Sequence, residues 1–174
     1  MRLSLLRGMI TFAVAAVGVF LADATAQATT ENDPVAHGTV TVQVAKLTHA
    51  QATARLRAAG ITWSSSGNCS DRDNATCTSF DQVNLTTIQG AETLKRASGC
   101  ALNITGGTET GHASGTYSHW NGYKLDFGKS TCLTNYIHNT FTSIGGGKWQ
   151  SGAGNIYFDE SSHWDVTFYN CGGC

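Results

Sequence analysis

Two short polar runs hold residue types that bind a divalent metal through imidazole nitrogen or carboxylate oxygen. The first is Ser118-His119-Trp120-Asn121-Gly122-Tyr123-Lys124-Leu125-Asp126 and the second is Glu160-Ser161-Ser162-His163-Trp164-Asp165. A catalytic zinc takes three protein ligands and keeps a fourth position open. His119, Asp126 and His163 make such a set for one Zn2+ ion. Glu160 is then left over as the general base, which would take a proton from the attacking water and pass it to a leaving amine. In one straight strand His119 and Asp126 would fall on opposite faces, so Gly122 must allow a turn or bulge between them.

Elements on either side must position these groups. Tyr123, Leu125 and Phe127 alternate with Lys124 and Asp126, which places Asp126 on the polar face of a strand. In a last strand, His163 to Tyr169, Trp164, Val166 and Phe168 share one face and His163, Asp165 and Thr167 the other. Further strands are read at Val40 to Val44, Leu102 to Ile104 and Asn155 to Phe158. Helices are read from Thr48, with Gln51 as capping partner, to Gly60; from Thr86, with Gln89, to Gly99; and from Ser130 to Phe141. The polar stretch from Gly67 to Asp81 reads as a loop, and Gly106 to Gly115 as the loop beside the site. Strands and helices do not alternate as βαβ units. The expected class is therefore α+β: an antiparallel sheet with helices on one face and an open zinc cleft on the other.

The chain has 174 residues and begins with Arg2 and Arg7 ahead of an apolar stretch, Gly8 to Ala22. Ala24-Thr25-Ala26 fits a signal-peptidase site, so residues 1–26 read as a signal peptide, 27–37 as a flexible segment and 38–174 as one domain. Removing Arg2, Arg7 and Asp23 from eleven basic and twelve acidic residues leaves nine against eleven. No basic field remains to gather nucleic acid or anionic lipid. A secreted, extracellular monomer, without a membrane anchor after cleavage, is expected. All six cysteines follow the apolar stretch, which suits three disulfides in an oxidising setting. Cys69 and Cys77 bracket the polar loop, and Cys100 and Cys132 face across the core. Cys171 and Cys174 remain as the third pair, with a redox or metal pair as the alternative for Cys-Gly-Gly-Cys.

The run SHWNGYKLD, with Ser118, His119, Gly122 and Asp126, resembles the metal motif of the zinc D-alanyl-D-alanine carboxypeptidases and related peptidoglycan endopeptidases, whose fold is shared with Hedgehog signalling domains. ESSHWD is similar to that family's closing motif, in which Glu is the base and His the third ligand. The resemblance spans about His49 to Tyr169. It implies a zinc metallopeptidase acting on the stem peptides of cell-wall peptidoglycan, or a zinc-containing wall-binding module of the same fold.

The chain departs from the family in one place. Members carry an Arg just after the strand that precedes the metal loop, where it steadies substrate and oxyanion. Here that stretch is Thr105-Gly106-Gly107-Thr108-Glu109. His112 is a candidate catalytic donor in its place, or a surface histidine. Glu109 could accept a substrate amine, orient His112 or orient a ligand, and Asp165 could orient a ligand or be an ordinary strand residue. Glu109 and Glu160 as paired carboxylates would suit a glycosidase, but that leaves the histidines idle.

Overall fold

In the computed structural model, residues 44–174 are described. The expected signal peptide, the flexible segment and nearly all of the Val40 to Val44 strand lie outside them. Val44 itself is not in a strand.

The chain order is β1 (Lys46–Leu47), α1 (His49–Ala58), β2 (Thr62–Trp63), β3 (Val83–Asn84), α2 (Leu85–Ser98), β4 (Asn103–Gly106), β5 (Lys124–Gly128), α3 (Thr131–Thr140), β6 (Thr142–Gly145), β7 (Lys148–Gln150), β8 (Ile156–Asp159) and β9 (His163–Thr167). Seven strands form one sheet in the order β2-β4-β5-β9-β8-β7-β6, and β1 and β3 pair separately. The class is α+β, with three helices and a mostly antiparallel sheet among the described residues. One pair corrects the all-antiparallel expectation: β2 runs parallel to β4. The connection between them contains the disulfide loop and α2, a crossover of the length that parallel neighbours require.

Local chemistry starts and stops the helices. Thr48 and Gln51 form the expected reciprocal capping box on α1, and Ser130 Oγ accepts the Leu133 amide at the start of α3. For α2 the expected box of Thr86 and Gln89 does not form; the N-cap is Asn84, whose side chain makes no capping bond. Asn84 is the last residue of β3, paired with Lys46 of β1. The end of that strand sets the start of the helix ahead of the expected residue. Gly99, with φ at +66°, closes α2 in the left-handed conformation.

The hairpin of β6 and β7 is an addition to the expected elements. It turns through Gly145, Gly146 and Gly147, all at positive φ. The strands expected at Tyr123 to Phe127 and His163 to Tyr169 are observed as Lys124–Gly128 and His163–Thr167.

Leu125, Phe127, Trp164, Val166 and Phe168 are fully buried in one cluster with Leu56, Ile88, Ala91, Leu133 and Ile137 of the helices. Burying an aliphatic or aromatic side chain of this size contributes about 1.5–3 kcal/mol, so the apolar faces of β5 and β9 are committed to the helices. Alternation then turns Asp126 and Asp165 to the opposite side. Disulfides join Cys69–Cys77, Cys100–Cys132 and Cys171–Cys174, the pairs read from the sequence. No helix among the described residues is long and apolar enough to cross a membrane.

Candidate metal centre

The turn before β5 brings His119 back over Asp126. Gly122 donates to the His119 carbonyl at 2.7 Å and Tyr123 to the Ser118 carbonyl at 3.1 Å. Gly122 has φ of +78°, and a Cβ there would lie 2.5 Å from the Gln82 carbonyl and 2.9 Å from the Asn84 amide nitrogen. Glycine is therefore required both by conformation and by close approach. The Gly122 carbonyl accepts the Asn84 amide and the Thr87 hydroxyl, which ties the turn to the start of α2. Ser118, also buried, serves this turn by accepting the Asn121 amide.

His119 is 3% exposed. Its Nδ1 lies 2.7 Å from the Gly107 carbonyl. A carbonyl can only accept, so Nδ1 carries the proton and the Nε2 lone pair faces the cleft. Nε2 lies 3.2 Å from Asp126 Oδ1. His163, at the head of β9, brings its Nε2 within 3.5 Å of the same oxygen and 3.3 Å of Glu160 Oε2. The two polar runs thus meet, although Asp126 and Glu160 are far apart in sequence.

His112 stands against this group. Its ring stacks on His119 with centroids 3.8 Å apart, and its Nδ1 is 3.7 Å from Asp126 Oδ2. His112, His119 and Asp126 form a group that could hold a metal ion, with one ligand atom from each lying within 4.8 Å of the others. The cavity they face has a volume of about 250 Å³ and is also lined by Lys124, Glu160, His163 and Asp165. Asp126 Oδ1 and Asp165 Oδ1 are buried there without a hydrogen-bond partner among the described residues. Leaving an ionised oxygen in that state is costly unless a cation or donor meets it. The donor set of imidazoles and carboxylates suits a divalent transition metal.

Glu109 is 3% exposed and lies under this group, outside the cavity lining. It accepts the Ser79 amide at 2.7 Å, the Gly107 amide at 3.0 Å and His112 Nε2 at 3.1 Å. Burial raises its pKa, but the bonds from His112, Ser79 and Gly107 outweigh burial and hold it below the usual value. The same bond from Glu109 raises the His112 pKa, against the effect of burial. Burial likewise pushes Asp126 up, and the neighbouring imidazoles of His119, His163 and His112 bring it below the usual carboxylate value. Of the roles left open for Glu109, orienting His112 matches these contacts.

The disulfide loop supports the same region. Thr108 donates to the Ser79 carbonyl and Thr110 to the Arg72 carbonyl. Arg72 Nε donates to the Thr108 carbonyl and its guanidinium stacks on Trp120, 3.7 Å from the ring centroid. Among the described residues, no arginine lines this cavity. Trp164 is fully buried and Trp120 is 45% exposed.

Two contributors carried a sequence signal that went unread. Lys124 is two residues from Asp126 on the same strand, hence on the same face, and its Nζ donates to Asp165 Oδ2 at 2.5 Å. Gly106 sits opposite Asp126 across a bulge between β4 and β5. A Cβ on Gly106 would overlap Asp126 Oδ2, so a side chain there would displace that carboxylate.

Compared with known proteins, the chain matches no protein-family model, no curated protein and no solved structure.

Proposed function

We propose that this chain is a secreted zinc metallopeptidase of the Hedgehog/D-alanyl-D-alanine peptidase fold that hydrolyses peptide bonds in peptidoglycan stem peptides. The observation that carries the reading is the meeting of the two runs at Asp126 Oδ1, a buried oxygen without a hydrogen-bond partner that lies beside Nε2 of both His119 and His163. His119, Asp126 and His163 would hold the ion, with His112 beside them. Zinc bound there would supply the Lewis acid that polarises the scissile carbonyl and lowers the pKa of a water.

The chain's own residues do the rest. Gly107 fixes the tautomer of His119. Glu160, its side chain 39% exposed at the cavity edge, accepts the proton of the attacking water and returns it to the leaving amine. His112, held by Glu109 on the rim, donates toward the developing oxyanion in the place where the family has Arg. Three disulfides fit the oxidising exterior to which a secreted enzyme is exported.

A second reading, a zinc-containing module that grips wall peptides without cutting them, has one observation in its favour: among the described residues no arginine lines the cavity. Incubating the full chain with purified muropeptides, with and without a chelator, separates the two. The peptidase reading expects chelator-sensitive release of D-Ala or cut stems, reduced roughly 10²–10⁴-fold in Glu160→Ala. Zinc-loaded protein that binds the wall peptides and leaves them uncut would establish the module instead.

A further inference from the structure

Asp165 is paired Cα to Cα with Asp126 across β5 and β9, so both carboxylates rise from one rung of the sheet on the cleft face. Asp165 is 6% exposed. Its Oδ2 accepts Lys124 Nζ at 2.5 Å, whereas Oδ1 has no hydrogen-bond partner and lies 3.9 Å from His119 Nε2. Lys124 answers the charge on one oxygen only. The other is an ionised acceptor shut away from water, a state that calls for a cation. Asp126 Oδ1 is in the same condition, 3.2 Å from the same His119 Nε2. Ligand atoms sharing one ion at bond lengths of about 2.0–2.2 Å stand roughly 3–4 Å apart. The spacings from His119 Nε2 to both aspartates fall in that range.

We propose that Asp165 is a further ligand of the metal centre, its carboxylate shared between the ion through Oδ1 and Lys124 through Oδ2. The inference rests on the metal-binding reading of the site and adds a residue to it. It also gives Lys124 a role. An ammonium beside the ion repels it and competes for the same carboxylate, so Lys124 sets how firmly the metal is held. Asp126, Asp165 and Glu160 supply three negative charges to the cavity against one lysine, a balance that a divalent cation completes.

The test is metal affinity, independent of any catalysis. The full chain, stripped of metal, is titrated with zinc against a chromophoric chelator, alongside Asp165→Asn and Lys124→Met, and each protein is then loaded with Co2+ and its visible spectrum recorded. Asp165→Asn is expected to weaken zinc binding by more than about 100-fold, beyond the roughly 10–100-fold loss typical of a residue that only orients a ligand. It also changes the Co2+ spectrum. Lys124→Met is expected to move the other way, tightening zinc about 3–10-fold by removing a nearby positive charge. That opposite sign keeps the test decisive if Asp165→Asn fails to fold. Wild-type zinc affinity and Co2+ spectrum in Asp165→Asn, or weakening in Lys124→Met, would overturn the inference while leaving the metal centre standing. Absence of zinc binding by the wild type would overturn both.

Discussion

Glu109 turns its carboxylate into the protein, where it accepts from Ser79, Gly107 and His112. The bond to His112 couples two titrations of opposite sign. The Glu109 pKa is lowered from 4.5, so its contribution to stability is complete above that value and is lost as pH falls through the lowered pKa. The His112 pKa is raised from 6.5, so its contribution is complete below that value and is lost as pH rises through the raised pKa. Metal-free protein should therefore draw most from this pair between about pH 4.5 and 6.5. Denaturant unfolding of the metal-free chain across pH checks this. Glu109→Gln is expected to lose about 2–3 kcal/mol near neutrality, because buried donors lose an ionised acceptor, and to fall less steeply in acid. Identical acid limbs for the two proteins would remove Glu109 from its anchoring role.

At the scale of elements, the site depends on where two strands and one turn place their side chains. The apolar faces of β5 and β9 pack beneath the helices, and the same alternation delivers Asp126 and Asp165 to the cleft. The turn ending at Gly122 delivers His119. Substituting Gly122→Ala combines a left-handed backbone with a Cβ overlapping the Gln82 carbonyl and the Asn84 amide. Roughly 1–2 kcal/mol of conformational cost adds to about 1–3 kcal/mol for forcing the overlap. Thermal unfolding should show a lowered midpoint, and chelator competition a weakened metal site, as His119 shifts away from Asp126. Retained metal affinity in a folded Gly122→Ala protein would mean that the turn does not set the ligand geometry.

For the molecule as a whole, the parts legible in the sequence are those with a strong physical signature. Strand alternation in β5 and β9 marked both the buried face and the polar face that lines the cavity, and the Thr48–Gln51 box marked the start of α1. The spacing of cysteines around a polar loop marked Cys69–Cys77. Other parts left little trace. All four residues of β6 are exposed, so no apolar alternation announces it, and the hairpin is held by its pairing with β8. The start of α2 depends on the pairing of β3 with β1, a tertiary fact that overrode the local Thr86–Gln89 signal. The parallel placement of β2 depends on a crossover that composition does not reveal. His112 was legible as a polar residue of the loop, but its stacking on His119 follows from the Glu109 anchor and the disulfide loop behind it. The central claim is that these distant pieces converge on one ion. A crystal of the zinc-loaded protein measured at the zinc absorption edge tests it most directly. The expected anomalous map has a single peak within bonding distance of His119 Nε2, Asp126 Oδ1 and His163 Nε2; a map with no peak there, or with the ion held elsewhere, would contradict it.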